Sequence, residues 1–320
     1  MRLENFTLFN EFLRTVIMGK QAQDVAKFNA GTLGGITLQA GSAMGDYKDT
    51  VFFKRIEGLV RRRNAYGSGD VAETHLEDVV DTMVRVAAGT APVDLSPGQF
   101  RWIGTDPAQA AALLGKQIAE DTISDMLNCA ILAAVTALSA TASNVHDYSA
   151  TGVCGLAELV KGAAKFGDRA QAIRCWLMHS KTAHDIYGAA IANATHLFNS
   201  ATVNVVQDGF GRTIVMTDSP YLQDLGANPD KYFTLGLVEG GVIVRQNDDY
   251  DQNINTTNGK ENIKRTLQAE WSYNVGLKGF SWDKATGGAS PNDAAIGSSA
   301  NWDQYAASAK DLPGVIVITQ

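Results

Sequence analysis

At 320 residues, the chain is long enough to bury one large core or two ordinary ones. Its charged fraction of 19% is below the usual quarter, its apolar fraction of 45% is ordinary, and 31 glycines spread along the chain favour many turns and close backbone approaches. The net charge of −7 argues against a dedicated nucleic-acid binder, which carries a large basic face.

The three cysteines, Cys129, Cys154 and Cys175, are far apart and form no CxxC pair. They read as small buried apolar residues in a reducing compartment. No stretch approaches the roughly 20 apolar residues that span a bilayer. The start, Met1 to Phe6, has an early acid and no small-residue cleavage site, so no secretion signal is expected and the product stays in the cytoplasm of the cell that makes it.

Over residues 4–28, Phe9, Phe12, Leu13, Val16 and Ile17 recur at helical spacing, weakening past Gly19 and ending at Gly31 to Gly35. This predicts a short amphipathic arm whose apolar face is buried against the body or against a neighbour. Residues 36–100 differ in kind. Ile36-Thr37-Leu38 and Thr50-Val51-Phe52-Phe53 look like strand pieces, followed by Arg61-Arg62-Arg63, by Tyr66-Gly67-Ser68-Gly69 and by the acids Asp70, Glu73, Glu77, Asp78 and Asp81. A core-poor segment with a basic cluster beside an acidic one suits a projecting arm that meets a partner of complementary charge. Composition alone favours the plainer reading, a solvated loop with scattered weak ion pairs.

The clearest predicted element is a helix from about 106 to 141, with Asp106 as cap, Pro107 in its first turn, and Leu114, Ile118, Met126, Leu127, Ile131, Val135 and Leu138 on its apolar stripe. Gly115 interrupts it, at a cost of about 1 kcal/mol relative to Ala. Such a helix would run roughly 50 Å and act as a spine. Residues 152–245 read as mixed α/β, with helical patterns at 155–166 and 181–192 and strand-like runs at 172–178, 203–207, 212–217 and 233–244. Residues 263–277 alternate strictly, with Leu267, Ala269, Trp271, Tyr273, Val275 and Leu277 on one side, which predicts one unusually long strand. A Gly/Ser/Asn-rich stretch at 286–301 follows, and Val315 to Ile318 predict a last strand.

No constellation of catalytic residues emerges. His179 and His184 are five apart, which places them on diverging faces of a helix. Met178-His179-Ser180 is not a nucleophile elbow, and there is no phosphate-binding G-x-x-x-x-G-K-[ST] loop. The acids at 70–78 do not have the spacing of a Ca²⁺ loop. Beside Arg61 to Arg63 only Tyr66 could stack on a base, and the following acids oppose phosphate binding. No catalytic, cofactor-binding or metal-binding residue is assigned, and an enzyme is not expected.

Taken in order, several segments resemble the major capsid proteins of tailed double-stranded DNA phages with the HK97-type fold. They are Phe53–Asp70, Pro97–Trp102, Trp176-Leu177-Met178-His179-Ser180, Gln207–Arg212, Val215-Met216-Thr217-Asp218-Ser219-Pro220 and Gln268–Asp283. No one of them is specific; the ordered set is, and it spans nearly the whole chain. The resemblance implies an α+β fold with an N-terminal arm (1–34), an extended β-hairpin loop (35–100), a peripheral domain with spine helix and long strand (101–151 and 250–283), an axial α/β domain (152–249) and a C-terminal segment with the final strand (284–320). It implies self-assembly through hexamers and pentamers into an icosahedral virion head around packaged dsDNA, which lies close by without being gripped. Scaffolding, portal and decoration proteins are the further partners implied; no cofactor and no membrane are. With the charge pattern, it makes Lys54, Arg55, Arg61, Arg62, Arg63, Asp70, Glu73, Glu77 and Asp78 the candidate intersubunit contacts. Some members of this fold cross-link through Lys and Asn, but nothing in this sequence identifies such a pair. The alternatives are an encapsulin-like nanocompartment shell of the same fold, or a soluble α/β enzyme centred on residues 152–245.

Overall fold

The computed structural model describes residues 3–41, 45–53, 60–95, 103, 105–187, 195–199, 203–207, 212–259, 261 and 263–320. The chain opens with helix α1 (Leu3–Gly31), strand β1 (Ile36–Ala40), strands β2 (Tyr47–Phe53) and β3 (Asp78–Gly89), and the short β4 (Val93–Leu95). Helix α2 (Pro107–Ser139) and strand β5 (Val145–Asp147) follow. Next come α3 (Leu156–Ala164), β6 (Ile173–Met178), α4 (Ser180–Tyr187), β7 (Thr195–Asn199), β8 (Val203–Gln207), β9 (Thr213–Thr217) and β10 (Gln223–Asp224). The last part holds β11 (Lys231–Val238), β12 (Val242–Gln246), β13 (Asp251–Thr257), β14 (Lys264–Leu277), β15 (Phe280–Trp282), α5 (Asp293–Ile296), β16 (Trp302–Gln304) and β17 (Gly314–Thr319).

This is the mixed α+β fold expected, with two sheets. The first runs β1-β12-β14-β15-β16. Its axis is β14, fourteen residues long. That length lets β12 and β13 share one edge while β3 and β4 share the other. Its strict alternation places Leu267, Ala269, Tyr273, Val275 and Leu277 in the core. The second sheet runs β5-β17-β11-β6-β9-β8-β7, so the C-terminal strand enters it beside β11. The largest buried cluster draws on both sheets and on Met126 to Leu138 of α2.

The cap of α2 is formed as its sequence predicts, with Asp106 Oδ1 accepting from the Gln109 N–H at 3.0 Å. By length and composition α2 could cross a membrane, contrary to the sequence reading, but 67% of its apolar window is buried inside the fold. Gly115 has a reason to be there. A Cβ at that position would lie 3.0 Å from Val16 Cγ1 and 3.3 Å from Leu13 Cδ1, so its absence lets α1 cross α2 closely. Around this crossing Phe9, Leu13, Ile17, Ala110, Ala111, Ile118 and Ala119 form a separate buried cluster, which docks the N-terminal helix on its own subunit.

Helix α1 also runs on without a break past Gly19 to Gly31. Its second half lacks an apolar stripe because buried polar residues, Gln21 and Asp24, occupy the inner face. Lys20 pairs with Asp24 at 2.7 Å and Gln246 Nε2 donates to Gln21 at 3.1 Å. The run at 233–244 differs from expectation too. It is two strands in different sheets, broken at Gly240, whose φ of +66° suits glycine. The part of the expected 181–192 helix beyond Tyr187 lies outside the described residues, except that Tyr187 closes α4.

Candidate intersubunit surface

Strands β2 and β3 pair antiparallel from Tyr47↔Val84 to Phe53↔Asp78. Besides the face that carries Phe52, the body holds this hairpin at its root. There Val84 to Gly89 pair with Val275 to Glu270 of β14. Met83 sits over Gly276, where a Cβ would come within 2.7 Å of its side chain. Arg85 donates to Asp249 at 2.8 Å and to Ser272 Oγ at 2.9 Å. Asp49 accepts from Thr82 Oγ1 at 2.9 Å and pairs with Lys284 at 2.6 Å, and the Lys284 bond holds its carboxyl below the ordinary carboxylate range. Phe52 meets Tyr305 edge-on at 5.1 Å.

On the face opposite Phe52 the outer part of the hairpin is exposed. Val51 and Val80 are direct cross-strand partners, and Phe53 lies two residues further on the same face. They are 63%, 43% and 69% exposed. Residues 60–77 follow as a loop without regular helix or strand, exposed throughout. It carries Arg61, Arg62, Arg63, Asp70, Glu73 and Glu77, while Asp78 begins β3 and is also exposed. No ion pair joins Arg61, Arg62 or Arg63 to a described residue. Lys54 and Arg55 lie outside the described residues. The structure therefore places the described candidates on one projecting segment. It separates Asp81 from the other acids: burial pushes its carboxyl up to about 6 against the attraction of Arg245.

The sequence did not single out the Val51, Phe53, Val80 face, because an apolar strand piece reads equally as core. Only the register with β3, and the lack of a layer over it, reveals it as surface.

The groups that could serve chemistry are placed otherwise. Burial raises the thiols of Cys129, Cys154 and Cys175 to about 12, far from a reactive thiolate. His179 faces Asp218 at 3.6 Å and accepts the Lys181 N–H at 3.1 Å through Nδ1, while His184 is exposed. Among the described residues, no group of three or more His, Cys, Asp or Glu side chains could hold a metal ion. A cavity of about 830 Å³ lies between α2, β3 and residues 291–294. Tyr273 OH donates to Asp125 there at 2.8 Å, and burial raises that carboxyl. Tyr273 also hydrogen-bonds the Cys129 thiol, which burial keeps protonated, so the cluster is a buried polar tie between spine and long strand.

Comparison with known proteins bears on the same arrangement. The sequence profile of the Gp13-like family, described as major capsid protein 13-like, matches residues 5–316. No curated protein sequence matches. Among solved structures, the head of Helicobacter pylori bacteriophage KHP40 is similar with a TM-score of 0.51 at 10% identity, over 89% of this chain and 87% of that one. A chain from Mycobacterium phage Bobi is similar with a TM-score of 0.51 at 13% identity, over 91% and 90%. At such identities these two establish likeness of fold, while the profile match runs almost from end to end. The chain belongs to the Gp13-like family of major capsid proteins, and it is a bacteriophage capsid subunit.

Proposed function

We propose that this subunit assembles through hexamers and pentamers into the icosahedral head that encloses packaged dsDNA, and that it performs no catalysis. In this reading residues 35–100 lie across the neighbouring subunit, and residues 152–249 meet their copies around the five- and six-fold axes. The head forms in the host cytoplasm with scaffolding, portal and decoration proteins as partners. One observation carries the reading: a hairpin that the body holds at its root and along one face, with Val51, Phe53 and Val80 exposed on the other. Each such side chain would contribute up to about 2 kcal/mol if buried on a neighbour. One heterologous contact repeated around a ring multiplies that modest energy without any extended interface. The acidic net charge of −7 suits a wall that encloses DNA without holding it.

The test reverses Arg61, Arg62 and Arg63 to Glu. The variant is expected to fold, with circular dichroism and melting like the parent, and to give no normal closed shells by electron microscopy. Shells of normal size and number from this variant would overturn the role given to the loop.

A further inference from the structure

We infer that the surface receiving Arg61 to Arg63 is the groove on the outer face of β13 and β14, centred on Asp251 and Glu270 of a second copy of this chain. The inference rests on the proposed seating of the hairpin loop on a neighbour and adds the docking site. Asp251 and Glu270 are direct cross-strand partners. Both are exposed on the face opposite the core. Like charges placed opposite each other weaken a strand pair, so a fold serving only its own stability gains nothing from them. Among the described residues no cation compensates either one. Arg85, four rungs along at Asn274, is held by Asp249 at 2.8 Å, and Lys264 pairs with Asp94 at 3.6 Å. Glu270 accepts only from Gln268 Nε2 at 3.1 Å.

The surroundings suit a guanidinium. Pro92, Asn253, Asn255 and Gln268 join the two acids around an open groove of about 520 Å³. Paired carboxylates bounded by amides offer the planar, multidentate acceptance that Arg uses better than Lys. The complementary set is Arg61, Arg62 and Arg63, exposed and without a described ionic partner.

The geometry favours arginines that come from another copy. Glu270 pairs with Gly89 at one end of β3, whereas the loop leaves from Asp78 at the other. Those rungs are eleven residues apart, about 36 Å along a strand. Arg62 lies nine residues past Phe53, about 30 Å of fully extended chain, so its side chain would meet its own groove only if the whole segment doubled straight back along the hairpin. The loop leaves from the end of β3 farther from the groove, and an identical neighbour is where the two charge sets can meet without such a return.

The test is a charge exchange in the full chain, read by electron microscopy and sedimentation of assembled material. Asp251→Lys with Glu270→Lys is expected to abolish closed shells, as is Arg61, Arg62 and Arg63→Glu. Combining the two sets is expected to restore shells, at least in part. If the arginine reversal blocks assembly but Asp251→Lys with Glu270→Lys assembles normally, or if the combination restores nothing, the groove is not the docking site and the hairpin reading survives. If the arginine reversal itself assembles normally, both fall. The milder Asp251→Asn with Glu270→Gln guards against misfolding. It is expected to melt no lower than the parent, because it relieves a repulsion, yet to assemble less. Unchanged assembly by this variant would likewise overturn the groove.

Discussion

Asp81 offers a pH-dependent test of how the hairpin root is built. It sits on β3 opposite Thr50, and burial is the main force raising its carboxyl from the ordinary 3.8 to about 6; Arg245 opposes the shift without cancelling it. One of its oxygens, Oδ1, is buried without a hydrogen-bond partner, as is Nε of Arg245. The sign follows from linkage. With the folded pKa above the unfolded one, the folded subunit binds more protons between about pH 4 and pH 6, so stability falls as pH rises through that window and levels off above it. A displacement of about two units corresponds to about 3 kcal/mol lost by pH 8. Asp81→Asn removes the ionisation and keeps the shape. It is expected to make the subunit more stable at pH 8, by up to about 3 kcal/mol, with the difference shrinking towards zero near pH 4. Denaturant midpoints of parent and variant, measured from pH 4 to 8 below the assembly concentration, read this directly. Equal midpoints at every pH, or a less stable variant at pH 8, would refute it, the latter by showing that the attraction of Arg245 outweighs desolvation.

Two stability predictions concern the scaffold. Asp106→Ala removes the side-chain acceptor at the start of α2 and is expected to cost about 1 kcal/mol, read as a lower denaturant midpoint at unchanged slope. Gly236→Ala would put a methyl 2.6 Å from the Trp176 ring and 2.9 Å from Val315 Cγ2. Overpacking of that kind costs about 1–3 kcal/mol, so the variant is expected to melt lower even though alanine is ordinarily the easier residue to order. A melting temperature at or above the parent's would show that Trp176 can move aside.

Elements with a regular apolar period were legible in the sequence. Helix α2 announces itself by Asp106, Pro107 and its apolar stripe, and β14 by a two-residue alternation that the core imposes on it. What stayed hidden depends on partners distant in the chain. Gln21 looks like a surface residue until Gln246 of β12 is seen donating to its side-chain oxygen. Gly115 looks like a flaw in a helix until Val16 and Leu13 are seen against it. The opposed acids Asp251 and Glu270 are nineteen residues apart in sequence and become neighbours only through the register of β13 on β14. The charged character of the hairpin loop was plain from Arg61 to Arg63 and the acids after them. Its apolar face was not, because which of Val51, Phe52 and Phe53 are covered is decided by Tyr305, more than 250 residues away.

The division between root and tip also bears on how the proposed contacts can work. The root is fixed three ways, by Met83 over Gly276, by Arg85 on Asp249 and by Asp49 on Lys284, so the body sets the direction in which β2 and β3 leave it. A ring built from one repeated heterologous contact closes only if every copy presents its arm at the same angle, which a fixed root provides. Arg61, Arg62 and Arg63 on the loop have no ion pair to a described residue, and ordering them on a neighbour costs conformational entropy that their contacts must first offset. Each seat is therefore weaker than its count of apolar and charged groups suggests. A weak single seat lets a misplaced subunit leave before the ring closes, whereas a closed ring holds each subunit at several seats at once.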